Sequence, residues 1–132
     1  MAQIPDKFLD LLNEKITFAD LATVMADGTP QVTPVWFDYT NGKIRINTAR
    51  GRVKDKNLTR NPNVALSIRD PANPYRYMQI RGKVSRSTEE GADAHIDSLA
   101  KKYMGKDSYP FRNPAEKRVT YEIDIGSVQG NG

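Results

Sequence analysis

The sequence predicts a mainly β, α+β domain in which six antiparallel strands form a barrel flanked by helices. Three observations support this fold class. Six segments are rich in β-branched and aromatic residues, as strands are. Asp27-Gly28 and Asn41-Gly42 are strong hairpin turns between the first three segments, so we expect those strands to form a meander. Helical patterns occur at the start of the chain and at two breaks between strands, which is typical of helices that cover the ends of a sheet.

The first half of the chain is predicted to hold one helix and three strands. Residues 5–13 have an apolar side of phenylalanine and leucine, with a proline in the first turn, where proline is allowed. Strands follow over 17–25, 31–39 and 43–48. Pro34 lies inside the second strand. Because proline has no N–H to donate, it indicates an edge strand, a bulge or a gap that faces a ligand.

The second half is predicted to begin with a short basic helix over 53–60, which an Asn-Pro pair ends. Alternating apolar residues then predict strands over 63–69, 75–86 and 119–125. The chain has no repeat, low-complexity segment or linker. We therefore expect one domain, residues 1–132, with the basic helix crossing an open end of the barrel.

A longer helix is predicted over 88–104. Ser87 and Glu90 have the spacing of a capping box, in which each side chain satisfies a backbone N–H of the first turn. His95 lies beside the apolar stripe of this helix and not within it, so we expect it at the surface.

The basic excess of the chain is concentrated in one segment. Residues 48–62 hold five cations and one anion, which account for the whole net charge of +4. These are Arg50, Arg52, Lys54, Lys56, Arg60 and Asp55. A nucleic-acid-binding surface usually spreads basic residues over a face or a tail. One localised patch favours a compact anion.

Gly51 allows a tight bend immediately before the basic helix, and a helix N-terminus attracts anions. Arg52 can form two parallel hydrogen bonds to phosphate oxygens, and Lys54 adds a mobile charge. A basic helix that is only solvated is the alternative interpretation of the same residues.

The composition excludes several kinds of chemistry. The chain has no cysteine and one histidine, so disulfides, thiolate sites, histidine-rich metal sites and a serine triad without His95 are excluded. Dinucleotide and P-loop glycine motifs are absent. If the protein is an enzyme, a cofactor must supply most of the chemistry. No apolar run is long enough to cross a membrane and no signal peptide is present, so we expect a cytoplasmic protein.

Four further residues have two interpretations each. Gln79 in mid-strand suits either a cross-strand pair or the edge of a heterocycle. Gly82 marks either a β-bulge or the close approach of a flat ligand. Trp36 belongs either to the core, which we favour, or to the wall of a ring-binding slot. Tyr109 lies in a loop and either anchors it or serves a site, by capping a pocket or filling a subunit interface.

Four motifs together resemble the pyridoxamine 5′-phosphate oxidase-like, flavin-binding split-barrel superfamily. They are LATVMADGTPQVTPVWF (21–37), INTARGRVKDKNLTRNPNVALSI (46–68), YMQIRGKV (77–84) and KRVTYEIDIGSV (117–128). Within it, the chain is most similar to the small reductases that use the deazaflavin coenzyme F420. The resemblance covers nearly the whole chain in order and implies a six-stranded split β-barrel and a homodimer.

The resemblance also implies a cofactor site built from two subunits. Arg52 and Lys54 match the family's phosphate ligands, and Gln79 matches a glutamine that usually comes from the other subunit. The remaining positions implied to contact the cofactor are Asn47, Thr48 and Arg50 near the phosphate, and Thr33, Pro34 and Val35, by their backbone, near the ring. No metal is implied.

The implied function is an F420-dependent reductase that passes a hydride to a small unsaturated substrate. The alternatives are an FMN-binding oxidase or electron carrier of the same fold, a binder of nucleic acid or another polyanion, and a structural protein with a vestigial groove. Members that oxidise pyridoxine phosphate carry a cationic pair in the second strand and an Arg-x-His motif near the C-terminus. This chain has neither, so we do not expect that activity.

Overall fold

The computed structural model describes residues 2–132 and holds one antiparallel sheet in the order β2-β1-β5-β6-β7-β4-β3. The strands are β1 Ala19–Val24, β2 Pro30–Val35, β3 Asp38–Thr40, β4 Lys43–Ala49, β5 Asn63–Asp70, β6 Asn73–Thr88 and β7 Arg118–Asn131. A 3₁₀ turn, Asp6–Phe8, leads into α1 Leu9–Asn13, and the other helices are α2 Val53–Arg60 and α3 Ala92–Met104. The predicted mainly β, α+β class is confirmed.

The sheet of residues 2–132 has seven strands and not the predicted six, because the segment 31–39 divides between two edges of the sheet. β2 pairs with β1, whereas β3 pairs with β4. Only Trp36 and Phe37 connect them, and three Cα–Cα steps span at most about 11 Å. The two edges of the sheet must therefore lie close together, which curls the sheet into an open barrel. The two hairpin pairings that the turns predict, β1 with β2 and β3 with β4, are confirmed. The predicted continuous meander does not form, since β2 and β4 are not neighbours.

Tyr103 of α3 holds the β2–β3 connection in place. Its hydroxyl accepts a hydrogen bond from the Phe37 N–H at 3.2 Å and donates one to the Thr17 carbonyl at 2.6 Å. The Trp36 ring stacks on the Tyr103 ring with centroids 5.2 Å apart. Burial raises the pKa of Tyr103 to about 12, so this hydroxyl remains a donor at neutral pH.

The core lies inside the curled sheet, and α1 closes one end of it. Alternate residues of the strands point inward and are fully buried, as the period-2 patterns predict. They include Leu21, Ile44, Ile46, Leu66, Ile68, Met78, Ile80, Ile123 and Ile125. Phe8 and Leu11 are buried beside them, and a Cβ added to Gly130 would meet the Phe8 ring at 2.5 Å. Each large apolar side chain buried here contributes about 1.5–3 kcal/mol to folding.

The capping box predicted for α3 is wrong, because β6 continues through Ser87 and Thr88, where it pairs with β7. The residue before the helix is Gly91, with φ +77° and no side-chain cap. Gly82 marks a register shift in β6, and a Cβ there would meet the Asp124 carbonyl oxygen at 2.2 Å. The bulge interpretation of Gly82 is therefore correct. Within residues 2–132, every helix is too short or too polar to cross a membrane.

Candidate cofactor site

A cavity of about 300 Å³ lies where β2 and β4 end, beside the start of α2 and against α3. It brings together six of the nine residues predicted to contact a cofactor, namely Pro34, Val35, Asn47, Thr48, Arg52 and Lys54. The other lining residues are Trp36, Ile96, Leu99, Tyr109, Phe111 and Arg118. Aromatic and aliphatic side chains and a group of cations thus line one space, as in sites for flat anionic ligands.

The bend before α2 is shaped by the single anion of the basic segment. The buried Asp55 carboxylate accepts hydrogen bonds from the Gly51 N–H at 2.9 Å, the Arg50 guanidinium at 3.0 Å and the Tyr121 hydroxyl at 2.5 Å. Burial opposes the charged form, but these hydrogen bonds keep the pKa of Asp55 below its ordinary value. Gly51 adopts φ +91°, which favours glycine at this point of the bend.

Arg50 and Arg52 are both paired within the chain. Arg50 contacts Glu89 at 2.8 Å in addition to Asp55, and it does not line the cavity. Arg52 lines the cavity, but its guanidinium lies 2.7 Å from the Glu116 carboxylate. This hydrogen bond lowers the pKa of Glu116. Two of the cations that mark the segment in the sequence therefore already have anionic partners.

Lys54 lines the cavity and lacks such a partner. Its side chain is half-buried, and no carboxylate of residues 2–132 lies within 4.0 Å of its ammonium. Burial and the nearby Arg52 charge both lower the pKa of Lys54. An anion in the cavity would offset both effects, since an opposite charge within about 4–6 Å favours the charged lysine.

Trp36 is half-buried and forms a wall of the cavity, so the predicted core position is wrong. The Trp36 ring meets the Tyr109 ring edge-on with centroids 6.2 Å apart, and Tyr109 meets Phe111 at 5.6 Å. Phe111 is 65% exposed. These rings form a continuous row from the β2–β3 connection to the loop after α3, which shields one side of the cavity.

The family model described as pyridoxamine 5′-phosphate oxidase matches residues 4–132. The chain belongs to the pyridoxamine 5′-phosphate oxidase family. A solved structure described as an F420 reductase is 34% identical, with 96% of this chain and 98% of that chain covered and a TM-score of 0.84. The resemblance read from the four sequence motifs is thus confirmed.

More distant structures share the fold. A protein from Listeria innocua, described as a putative pyridoxamine 5′-phosphate oxidase, is 19% identical over 95% of both chains, with a TM-score of 0.72. The heme storage protein HutZ from Vibrio cholerae is 15% identical over 99% of this chain and 96% of that chain, with a TM-score of 0.67. None of the curated proteins compared with the chain matches it. These two structures therefore share the fold of the chain.

Thr33 and Gln79 do not line the cavity of their own chain. Thr33 is half-buried in β2, opposite Leu21 of β1. Gln79 is exposed on β6, opposite Ser67.

Arg118 is a cavity residue that the sequence prediction omitted. It is 8% exposed, and its guanidinium lies 4.9 Å above the centre of the Tyr109 ring. One guanidinium nitrogen is 3.4 Å from the Asn47 side-chain oxygen. The signal in the sequence was a basic residue immediately before the inward-facing residues of the last strand. The charge distribution does not single it out, because the segment 48–62 alone accounts for the whole net charge of +4.

His95 is buried, so the predicted surface position is wrong. Its Nε2 lies 3.0 Å from the Asp38 carboxylate, and its Nδ1 lies 2.9 Å from the Thr120 hydroxyl. Asp38 also accepts a hydrogen bond from Arg45 at 2.7 Å. Burial opposes ionisation, but hydrogen bonds from His95 and Arg45 lower the pKa of Asp38 to about 2. A helix face that meets a polar patch of a sheet cannot be recognised from helical periodicity alone.

A larger groove of about 670 Å³ lies at the β6 bulge, between Gly82 and Gly126. It contains none of the residues predicted to contact a cofactor. Within residues 2–132, no three histidine or acidic side chains are grouped so that they could hold a metal ion.

Proposed function

We propose that the protein is an F420-dependent oxidoreductase that transfers a hydride to a small unsaturated substrate. The observation that carries the proposal is the half-buried Lys54 in a cavity of the predicted site residues. No carboxylate of residues 2–132 lies within 4.0 Å of its ammonium. The 34% identity to a structure described as an F420 reductase, over almost the full length of both chains, supports the choice of cofactor.

The residues of the cavity fit a cofactor with a flat ring and an anionic end. Lys54 and Arg52 would bind the phosphate, the latter with exchange or sharing of Glu116. β2 is an edge strand, so half of its backbone N–H and C=O groups point away from β1 and are free to bind a ring edge. Trp36 and Tyr109 would exclude water from the ring. The bound deazaflavin supplies the hydride.

The proposed site includes a second subunit. The outer face of the sheet carries Gln79 in the same row as Ser67 of β5, Asp20 of β1 and Pro34 of β2. Val32 is on that face and is 63% exposed. Packing two such faces together would bury Val32 and carry Gln79 towards the cavity of the partner. We expect a dimer by analytical ultracentrifugation, and weaker cofactor binding in Gln79→Ala although this side chain is outside its own cavity.

FMN in the same cavity is the second candidate. The family model that matches the chain is described as pyridoxamine 5′-phosphate oxidase. In addition, residues that bind a phosphate do not distinguish the ring of FMN from that of F420. Titration of purified protein with F420 and with FMN, followed by fluorescence, separates the two. We expect tighter binding of F420 and oxidation of its reduced form by unsaturated compounds. A yellow, FMN-loaded protein that has no affinity for F420 would favour the oxidase or electron carrier.

The alternative that the protein binds nucleic acid predicts a different dependence of affinity on salt. Several phosphate contacts would make oligonucleotide affinity fall steeply with salt. A competition titration in which oligonucleotide does not displace F420 would argue against that function. A protein that binds neither F420 nor FMN would contradict the proposal and leave the structural alternative.

A further inference from the structure

We propose that Arg118 is a third ligand for the anionic group bound in this cavity, and that His95 positions it through Asn47. The inference rests on the proposed function only for the identity of the anion. Its basis is the arrangement of charge and hydrogen bonds around Arg118, which is independent of the basic segment.

The charge of Arg118 is not balanced by a neighbouring carboxylate. Six other arginines form ion pairs, and they are Arg45, Arg50, Arg52, Arg76, Arg86 and Arg112. Arg60, Arg69 and Arg81 are exposed to solvent. Among residues 2–132, Arg118 is thus the arginine that is buried without a carboxylate within 4.0 Å. Glu116 is near enough for the Arg118 charge to lower its pKa, but its carboxylate is bound to Arg52.

The hydrogen-bonding capacity of Arg118 is also largely unused. A guanidinium has five N–H donors, and within residues 2–132 one of them reaches an acceptor, the Asn47 oxygen at 3.4 Å. The Tyr109 ring covers one face of the guanidinium, which leaves its edge for an oxyanion. A buried guanidinium with free donors is suited to two parallel hydrogen bonds with a phosphoryl or carboxylate group.

The orientation of Asn47 follows from its neighbours. Its amide nitrogen lies 2.9 Å from the Ala92 carbonyl oxygen and 3.2 Å from His95 Nδ1. A flipped amide would place two oxygens together at Ala92, so the nitrogen must face Ala92 and the oxygen must face Arg118.

The same reasoning assigns the proton on His95. The Asp38 carboxylate is an acceptor, so Nε2 must carry a hydrogen. In the neutral ring Nδ1 then accepts hydrogen bonds from the Thr120 hydroxyl at 2.9 Å and from the Asn47 amide at 3.2 Å. With this tautomer, Asp38 accepts from His95, and His95 accepts from the Asn47 amide. The Asn47 oxygen in turn accepts from Arg118. This network holds the guanidinium at the cavity before a ligand arrives, which reduces the entropy lost on binding.

The role of Arg118 is tested by binding measurements with inorganic phosphate, FMN and F420. We expect Arg118→Gln to weaken the binding of each phosphate-bearing probe by about tenfold or more, because charge-assisted hydrogen bonds are lost. Arg118→Lys should recover part of the affinity. Arg86→Gln removes the same charge from an exposed side chain that does not line the cavity and should change affinity by less than about twofold.

The outcomes separate this inference from the proposed function. If phosphate and FMN bind through Arg118 but F420 does not bind, the inference stands and the proposed cofactor is wrong. If F420 binds to Arg118→Gln as tightly as to the unchanged protein, the cofactor stands and the inference is overturned. Failure of every phosphate-bearing probe to bind the unchanged protein also overturns the inference. A loss confined to F420, with phosphate and FMN unaffected, would assign Arg118 to a carboxylate of that molecule and overturn its role towards phosphate.

The positioning role of His95 is tested by NMR and by two substitutions. Long-range ¹H–¹⁵N spectra should show hydrogen on Nε2, and hydrogen on Nδ1 would overturn the network. His95→Gln keeps a donor for Asp38, whereas His95→Asn keeps an acceptor for Asn47. We expect the former to shift the Arg118 Nε–H signal and weaken phosphate binding more than the latter. Equal affinities and an unmoved Arg118 signal, with lowered thermal stability alone, would make His95 a purely structural residue.

Discussion

The bend at residues 49–55 and the α3–β7 side of the cavity both deliver cations to one space, but by different means. At the bend the cations are adjacent in sequence, and carboxylates bind Arg50 and Arg52. On the α3–β7 side a single arginine, Arg118, is buried with its charge unbalanced. The comparison shows that the density of charge along a sequence does not measure the charge that is free to bind a ligand.

Removing the two cations of the bend that line the cavity, Arg52 and Lys54, should produce the largest change. We expect Arg52→Ala with Lys54→Ala to weaken cofactor binding by about 3 kcal/mol, roughly a hundredfold in Kd, through loss of charge-assisted hydrogen bonds. Lys54→Ala alone should cause most of this loss, because Glu116 already occupies Arg52. Isothermal titration with F420 and FMN would measure both.

Lys56→Ala is the matched control, since Lys56 is an exposed cation on the same helix and does not line the cavity. Unchanged affinity in a folded double variant would contradict the assignment of the phosphate to this bend. A larger loss from Arg52→Ala than from Lys54→Ala would show that the ion pair with Glu116 does not limit Arg52.

Asp55→Asn tests whether the Asp55 carboxylate stabilises the bend before α2. The substitution leaves the Arg50 guanidinium and the Tyr121 hydroxyl with a neutral partner in a buried position. We expect the free energy of unfolding to fall by about 2 kcal/mol and cofactor binding to weaken, since Gly51 loses its acceptor. Urea denaturation and titration would measure the two effects. Normal stability with normal affinity would indicate that the bend does not depend on this carboxylate.

The pH dependence of stability tests the buried hydrogen-bond network of Asp38 and His95, which leads to Arg118 through Asn47. The pKa of Asp38 is about 2 in the folded protein against 3.8 ordinarily, so its ionised form stabilises the fold above pH 3.8 and this contribution disappears as the pH falls towards 2. The difference corresponds to about 2 kcal/mol. Urea denaturation of the unchanged protein and of Asp38→Asn should show a stability gap at pH 5 that closes near pH 2. A gap independent of pH would mean that Asp38 is not held by His95 and Arg45.

The sequence predicted the bend well because its determinants are neighbours along the chain. Gly51, Asp55 and the flanking cations lie within one turn and one short helix, where local rules apply. The crossing from β2 to β3 was not predictable in this way, because Trp36 and Phe37 have high β-propensity and continue the pattern of the strand. The crossing is stabilised by a hydrogen bond from the Phe37 N–H to Tyr103, which is 66 residues away along the chain.

The α3–β7 side was not predictable because it is assembled from three distant segments. Asn47 comes from β4, His95 from α3 and Arg118 from β7. Periodicity places His95 beside an apolar stripe, but it does not say that a polar patch of the sheet faces it. Burial of a single histidine or arginine is set by tertiary contacts, which one sequence does not reveal.

The smallest predicted effect is a gain of affinity. Glu116→Gln should release Arg52 from its ion pair and remove a negative charge near Arg118. Exposed ion pairs contribute little, so we expect F420 and FMN to bind about two- to fivefold more tightly, with the gain shrinking at high salt as screening increases. Glu122→Gln is the control, because Glu122 pairs with Arg86 and does not line the cavity. Weaker binding in Glu116→Gln would show that Glu116 orients Arg52 towards the ligand. Both the bend and the α3–β7 side would then hold an arginine ready for the ligand, and the ion pair with Glu116 would no longer distinguish them.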